Sequence, residues 1–196
     1  MSGNIPIGDV ENSKLRRFHG ISSMKENTGF DVVSSQFSVH YYFENEVNLN
    51  GFLQNVSENL VKGGKFIGTC FNGKRVFEAL KYNNVIQYSD EENPIWKIIK
   101  QFDSDMGFTN DSNSLNMKID VFFESIGTTT TEYLVNMDYF IKKCAEFNLK
   151  VLEISSFENK YNELKSSGGL YGGAETMSDG LKEYSYLNDY FVFEKI

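Results

Sequence analysis

Apolar and polar positions fall into regular patterns from residue 30 onward. The run Phe30-Asp31-Val32-Val33-Ser34-Ser35-Gln36 is short and β-branched, with one acid near its start, which is how a strand buried inside a parallel sheet reads. Just beyond it, Gln36, His40, Tyr41 and Phe43 bring an amide, an imidazole, a phenol and a phenyl group together. Ligands of open α/β sheets gather at the carboxyl ends of strands, so this is a candidate binding edge. Alternation alone allows a second reading, in which Phe37, Val39, Tyr41 and Phe43 continue one strand face and His40 is a satisfied histidine near the surface.

Further along, Leu49, Phe52, Leu53, Val56 and Leu60 recur at helical spacing and form a core stripe. Lys62-Gly63-Gly64 predicts the end of that helix, residues 65–70 a strand, and Asn72-Gly73 the turn into a helix through Leu80. Strand, helix, strand and helix in this order make a βαβ crossover pattern. Over residues 83–116 the pattern weakens into Asn-, Asp- and Ser-rich sequence around Pro94, Trp96 and Phe102. That predicts an insertion beside the sheet, a small hairpin or lid, with Trp96 as local core or as a base-stacking ring. A strand over 117–126, a hydroxyl-rich loop over 127–131 and an amphipathic helix carrying Met137, Phe140, Ile141, Cys144 and Phe147 follow. Asn148 is a candidate helix stop before a strand over 150–157. A glycine-rich loop over 166–173, a helix over 177–187 and a strand over 190–195 complete an α/β reading.

Composition narrows the function classes. With 196 residues, 40% hydrophobic and 15% aromatic, the chain suits one packed domain. A formal net charge of −8 argues against holding DNA or long RNA by its phosphates. Recognition of a single nucleotide at an RNA end is compatible with it. Cys70 and Cys144 are the only cysteines and His19 and His40 the only histidines, too few for a disulfide framework or a metal cluster. The expectation is a reducing compartment and no metal. No apolar run reaches the roughly 20 residues a bilayer span needs, and Met1-Ser2-Gly3-Asn4 lacks signal-peptide character. Together these predict a soluble intracellular protein with no membrane partner.

Two acids stand out. Asp9 follows the apolar Ile5-Pro6-Ile7-Gly8; an acid past a strand end can accept a purine amine or ribose hydroxyls, or simply cap a helix or turn. Glu132 precedes an amphipathic helix, where the macrodipole favours an acid. Its carboxylate can equally accept the paired N1–H and N2–H donors of guanine, which adenine lacks. Lys14, Arg16 and Arg17 read as a solvated face.

The stretch from Phe30 to Glu44, with Phe-Asp, small residues, Gln36-Phe37 and then His40-Tyr41 followed by aromatics, resembles the signature of mRNA cap guanine-N7 methyltransferases. The resemblance is strongest to those within capping enzymes of large DNA viruses. Glu132-Tyr133-Leu134-Val135 resembles the segment that carries that family's cap-contacting glutamate. The resemblance implies a Rossmann-like class I S-adenosylmethionine-dependent methyltransferase fold, with S-adenosylmethionine as cofactor and the 5′ guanosine cap of mRNA as partner. It implies that Asp9, Gln36 and Tyr41 line the donor site, while His40, Glu132 and Tyr190 face the cap, with Tyr186 a rival to Tyr190. Guanine N7 carries a lone pair and no proton, so no residue is expected to act as nucleophile or base.

The family's opening strand and Asp-x-Gly-Cys-Gly turn have no counterpart here. Gly63-Gly64 and Gly168-Gly169 both lie downstream of the first patterned strand. The expectation is therefore a fold incomplete at its N-terminal side: residues 1–196 as the C-terminal two thirds of one methyltransferase domain, with an insertion around 83–116. Its partners would include the missing part or other capping-enzyme domains, such as a triphosphatase or guanylyltransferase. The place of action would be the host cytoplasm, virion or viral factory for a viral protein, and the nucleus for a cellular one. Two other functions remain open on the sequence: a different S-adenosylmethionine-dependent methyltransferase, and a non-catalytic cap-binding or allosteric subunit.

Overall fold

The computed structural model describes residues 29–90, 93–170 and 172–196. They form two four-stranded sheets. In the main sheet, β1 (Phe30–Gln36), β2 (Leu60–Phe71), β8 (Asn188–Lys195) and β7 (Leu149–Ser156) stand in the order β1-β2-β8-β7. β1 and β2 run parallel, joined by α1 (Glu46–Asn59), which is the crossover expected from the sequence. β8 lies antiparallel to both of its neighbours.

Helix α1 starts where the Asn45 side chain accepts from the Asn48 amide at 2.9 Å, a standard N-cap. Its stripe of Leu49, Leu53 and Val56 is buried. Together with α3 (Met137–Glu146) it covers one face of the main sheet, around Phe66, Phe140, Phe191 and Phe193. The rings of Phe66 and Phe191 are 5.1 Å apart, and those of Phe140 and Phe191 5.5 Å, distances at which aromatic pairs add to simple burial. Gly68 makes this packing possible, because a Cβ there would strike both the Phe191 ring and the Ser35 carbonyl.

The second sheet is an antiparallel meander of β3 (Val85–Asp90), β4 (Asn93–Lys100), β5 (Lys118–Phe123) and β6 (Thr129–Tyr133). Its inner face packs Trp96, Ile98, Ile119 and Val121 against Val76, Phe77 and Leu80 of α2 (Gly73–Leu80), with Phe71 at the end of β2. Helices α4 (Phe157–Ser166) and α5 (Asp179–Tyr186) precede β8. Trp96 is core, its Nε1 donating to the Gly180 carbonyl at 2.8 Å.

Four local expectations change. Gly63-Gly64 do not end α1: the helix stops at Asn59, and the glycines sit inside β2, where the register shifts between Phe30 and Val32 and Gly63 takes φ of 82°. An extra stretch of strand accommodated by a left-handed glycine is a bulge, not a helix stop. The threonines expected in a loop over 127–131 instead enter β6 from Thr129, as β-branched residues with a partner strand do. The strand expected over 117–126 is β5 and belongs to the second sheet, which runs from the 83–116 region on to Tyr133. Among the described residues β1 is an edge strand, with Val32 51% exposed, Phe30 exposed and Val33 partly buried against the core, so its apolar run is not the doubly covered strand expected.

Replacing Gly68 by Ala is expected to lower stability by about 1–3 kcal/mol, the usual cost of overpacking. Urea denaturation of the two proteins measures it.

Candidate active site

The site begins where β1 ends. Phe37 adopts a left-handed backbone, φ 49°, and its amide donates to the Thr69 carbonyl at 2.9 Å and to the Thr69 hydroxyl at 3.2 Å. The chain is thereby turned off the sheet into a short 3-10 helix, Val39–Glu44. Gln36 stays on the sheet's open face, accepting from the Thr69 hydroxyl at 2.9 Å and donating to Ser34 Oγ at 2.9 Å. Thr69 is the register partner of both Gln36 and Tyr190, so the three share one row across that face. The Tyr190 hydroxyl is bonded to the Glu153 carboxylate, which raises the phenol's pKa.

The 3-10 helix carries His40 inward and leaves Tyr41 half exposed. The two rings lie 4.1 Å apart. His40 Nδ1 is 3.5 Å from Glu132 Oε2, and its Nε2 is buried without a hydrogen-bond partner. Glu132 reaches it from β6, where it stands opposite Ile119 and so shares the inner, apolar face of the second sheet. The Phe43 carbonyl accepts from the Asn116 amide at 2.9 Å, fastening the 3-10 helix to the chain just before β5.

Burial sets the electrostatics. It pushes the Glu132 carboxyl up to about 7, against the pull of the Thr130 hydroxyl, and pushes the His40 imidazole down to about 4. Each group is driven toward its neutral form. The site thus holds a neutral imidazole beside a carboxyl that ionises near neutrality. Tyr184 of α5 is pushed up by burial first and then by the charge of Glu132.

A polar cluster fixes the frame. The buried Asp189 accepts from Asn72 Nδ2 at 2.6 Å and from Arg75 Nη2 at 3.0 Å. Arg75 Nη1 donates to the Tyr186 carbonyl at 2.7 Å. The Gly73 amide donates to the Val135 carbonyl at 2.9 Å, and a side chain on Gly73 would strike that carbonyl. The start of α2, the start of β8 and the segment leaving β6 are thereby tied together.

Of the residues expected from the sequence, His40 and Glu132 are brought into contact, with the Tyr41 ring tilted against the histidine. Gln36 and Tyr190 share a sheet row, and Asp9 lies outside the described residues. Thr69, Tyr184 and the Asn72, Arg75 and Asp189 cluster were missed. The pairing of an N-capping Asn-Gly at 72–73 with an acid just before the aromatic run of β8 was the available signal for the cluster. Among the described residues no group of three or more His, Cys, Asp or Glu is arranged to hold a metal ion, and no helix is long and apolar enough to cross a membrane.

Residues 6–187 match the family model of the mRNA (guanine-N(7))-methyltransferase domain. The chain belongs to that family. It is 27% identical over 175 residues to the probable mRNA-capping enzyme of Acanthamoeba polyphaga mimivirus, covering 83% of this chain and 14% of the relative. It is 30% identical over 140 residues to the mRNA cap guanine-N(7) methyltransferase of Schizosaccharomyces pombe, covering 70% of this chain and 37% of the relative. The chain therefore spans well under half the length of these two relatives. Its fold resembles an S-adenosylmethionine-dependent methyltransferase from Clostridium acetobutylicum, with a TM-score of 0.50 at 17% identity over 94% of this chain and 69% of that one. The architecture of this cap methyltransferase family member is thus the Rossmann-like methyltransferase fold expected from the sequence.

The shifted pKa of Glu132 links the site to stability. Because the folded carboxyl titrates at about 7 against an ordinary 4.5, its contribution is fully present below 4.5 and is lost as pH rises through 7. Glu132→Gln cannot ionise, so it is expected to match the wild type at pH 4.5 and to exceed its stability by on the order of 2–3 kcal/mol at pH 8. Urea denaturation at the two pH values checks this.

Proposed function

We propose that this chain takes part in methylating N7 of the 5′ cap guanine of mRNA, with S-adenosylmethionine as donor. The observation that carries the reading is the buried pair of His40 and Glu132, 3.5 Å apart, with Nε2 of the histidine unpartnered. A buried polar atom without a partner carries a free-energy cost that a ligand can relieve. A carboxylate beside it suits the N1–H and N2–H donors of guanine and rejects adenine, whose N1 is an acceptor.

Gln36 and Tyr41 fit the donor side of this reading. An amide on the open carboxyl end of β1 and a half-exposed phenol ring suit the hydroxyls, carboxylate and adenine of S-adenosylmethionine, and Asp9 would add an acceptor for the ribose or the adenine amine. S-adenosylmethionine supplies an electrophilic methyl group on a sulfonium. The residues of this chain orient the acceptor: Glu132 fixes the base through its Watson–Crick edge, His40 and Tyr41 bound its position, and the apolar inner face of the second sheet excludes water. N7 attacks with its own lone pair, so orientation and approximation carry the rate acceleration. Tyr190 shares its row with Gln36, which supports a place beside the donor rather than at the Glu132 carboxylate. The partners on this reading are the capped mRNA end and the remaining length of a capping enzyme, acting inside the cell where mRNA is capped.

Titration with the cap dinucleotide GpppA and with S-adenosylmethionine separately tests the reading. Glu132→Ala is expected to weaken GpppA binding by about 10- to 100-fold, the worth of hydrogen bonds to a charged group, and to leave donor binding within about twofold. Equal loss for both ligands overturns the assignment.

The same carboxyl dictates a pH dependence. Accepting both guanine donors requires the ionised form, so cap affinity is expected to rise with pH through about 7. Glu132→Gln should flatten that profile, read as Kd for GpppA between pH 5.5 and 8.5.

A further inference from the structure

Thr69 sits between two groups that leave the end of β1. Its hydroxyl oxygen receives the Phe37 amide at 3.2 Å, beside the shorter bond from that amide to the Thr69 carbonyl at 2.9 Å. The single hydrogen of the hydroxyl goes to Gln36 Oε1 at 2.9 Å. That fixes which way round the Gln36 amide lies. Its oxygen faces Thr69, and its nitrogen faces Ser34 Oγ at 2.9 Å, which takes one of the two amide hydrogens. The second amide hydrogen remains for a ligand. Along the same row the Tyr190 hydroxyl is committed to Glu153. What Gln36 offers at the carboxyl end of β1 is therefore an N–H, a donor.

We propose that Thr69 is a positioning residue for the methyl donor: by holding the Gln36 oxygen it turns the Gln36 N–H toward an acceptor atom of S-adenosylmethionine. This rests on the S-adenosylmethionine reading of the site and extends it to the polarity of one contact. The acceptors of that molecule are its carboxylate, the oxygens of its ribose and the ring nitrogens of its adenine. Its ammonium and sulfonium groups have no use for an N–H. A carboxylate makes the strongest of these bonds, because it is charged. Fixing the amide before the ligand arrives lowers the ordering cost of binding. Thr69 itself touches no ligand on this reading and acts through Gln36. The bond from Phe37 to the Thr69 carbonyl belongs to the backbone, so the turn that carries His40 inward survives loss of the hydroxyl.

Gln36→Glu separates the two polarities. A glutamate at this position still accepts from Thr69 and can accept from Ser34, but it has no N–H for a ligand. Titration of the 196-residue chain with S-adenosylmethionine is expected to show a loss of about 3- to 10-fold in Thr69→Val, the worth of one hydrogen bond. Gln36→Glu is expected to lose about 10-fold or more, and Thr69→Ser to stay within about twofold of wild type. GpppA affinity should stay within about twofold in Thr69→Val, a separation that general loosening of the sheet would not give. Four results overturn the proposal while leaving the donor reading standing: Gln36→Glu that binds S-adenosylmethionine as tightly as wild type or more tightly, Thr69→Val at wild-type affinity, Thr69→Ser that fails to restore it, or equal loss of both ligands in Thr69→Val. Wild type that does not bind S-adenosylmethionine overturns the donor reading and this inference with it.

Discussion

A single buried carboxylate, that of Asp189, decides where the two sheets meet. Asn72 and Arg75 satisfy its two oxygens, and each of those partners has a second task. Asn72 caps α2 by accepting from the Arg75 amide at 3.0 Å, and Arg75 holds the carbonyl of Tyr186 at the end of α5. Removing Arg75 would leave a buried charge uncompensated, which is far more costly than the pair is worth in isolation, and removing Asn72 would strip the other oxygen of its donor. The bond from Gly73 to Val135 passes this constraint to the chain leaving β6. Glu132 therefore owes its position to a cluster it does not touch.

Within that frame, His40 breaks the rule that buried polar groups find partners. The imidazole keeps one nitrogen unsatisfied, and His40 and Glu132 are displaced from their ordinary titration ranges in opposite senses. Departures of this kind concentrate where a protein is built to receive something. The surrounding core is conventional: phenylalanines on the main sheet and a mixed aliphatic and aromatic layer beneath the second. The contrast sets the His40 and Glu132 pair apart from the packing around it.

Much of this was legible in the residues. The stripe of α1, the crossover into β2, the helix stop at Asn148, which takes φ of 57°, and the aromatic strand β8 follow from local periodicity and capping. The meeting of His40 with Glu132 was reachable through family likeness, because no local pattern links positions 92 residues apart in sequence. The second sheet was not legible as a sheet. Its strands are short, one begins with an Asn-Pro pair, and Lys97, Lys100 and Lys118 interrupt the apolar pattern, so pairing rather than propensity makes them strands. Tyr184 was hidden for a similar reason: on α5 it looks like ordinary helix lining, and only its packing on Phe71, Trp96 and Phe123 places it in the core beneath the second sheet.

The strand order β1-β2-β8-β7 has a bearing on how the molecule is made. β8 is the last of these strands to be synthesised, yet it lies between β2 and β7, which have no other bridge within the sheet. While β8 is still inside the ribosome, β1 and β2 can pair through their local crossover, but β7 lacks the strand it pairs with among the described residues. Closure of the sheet therefore joins Phe66 to Phe193 across most of the chain, the kind of distant pairing that slows folding. The nascent protein must keep the sticky edges of β2 and β7 apart from other chains until β8 arrives.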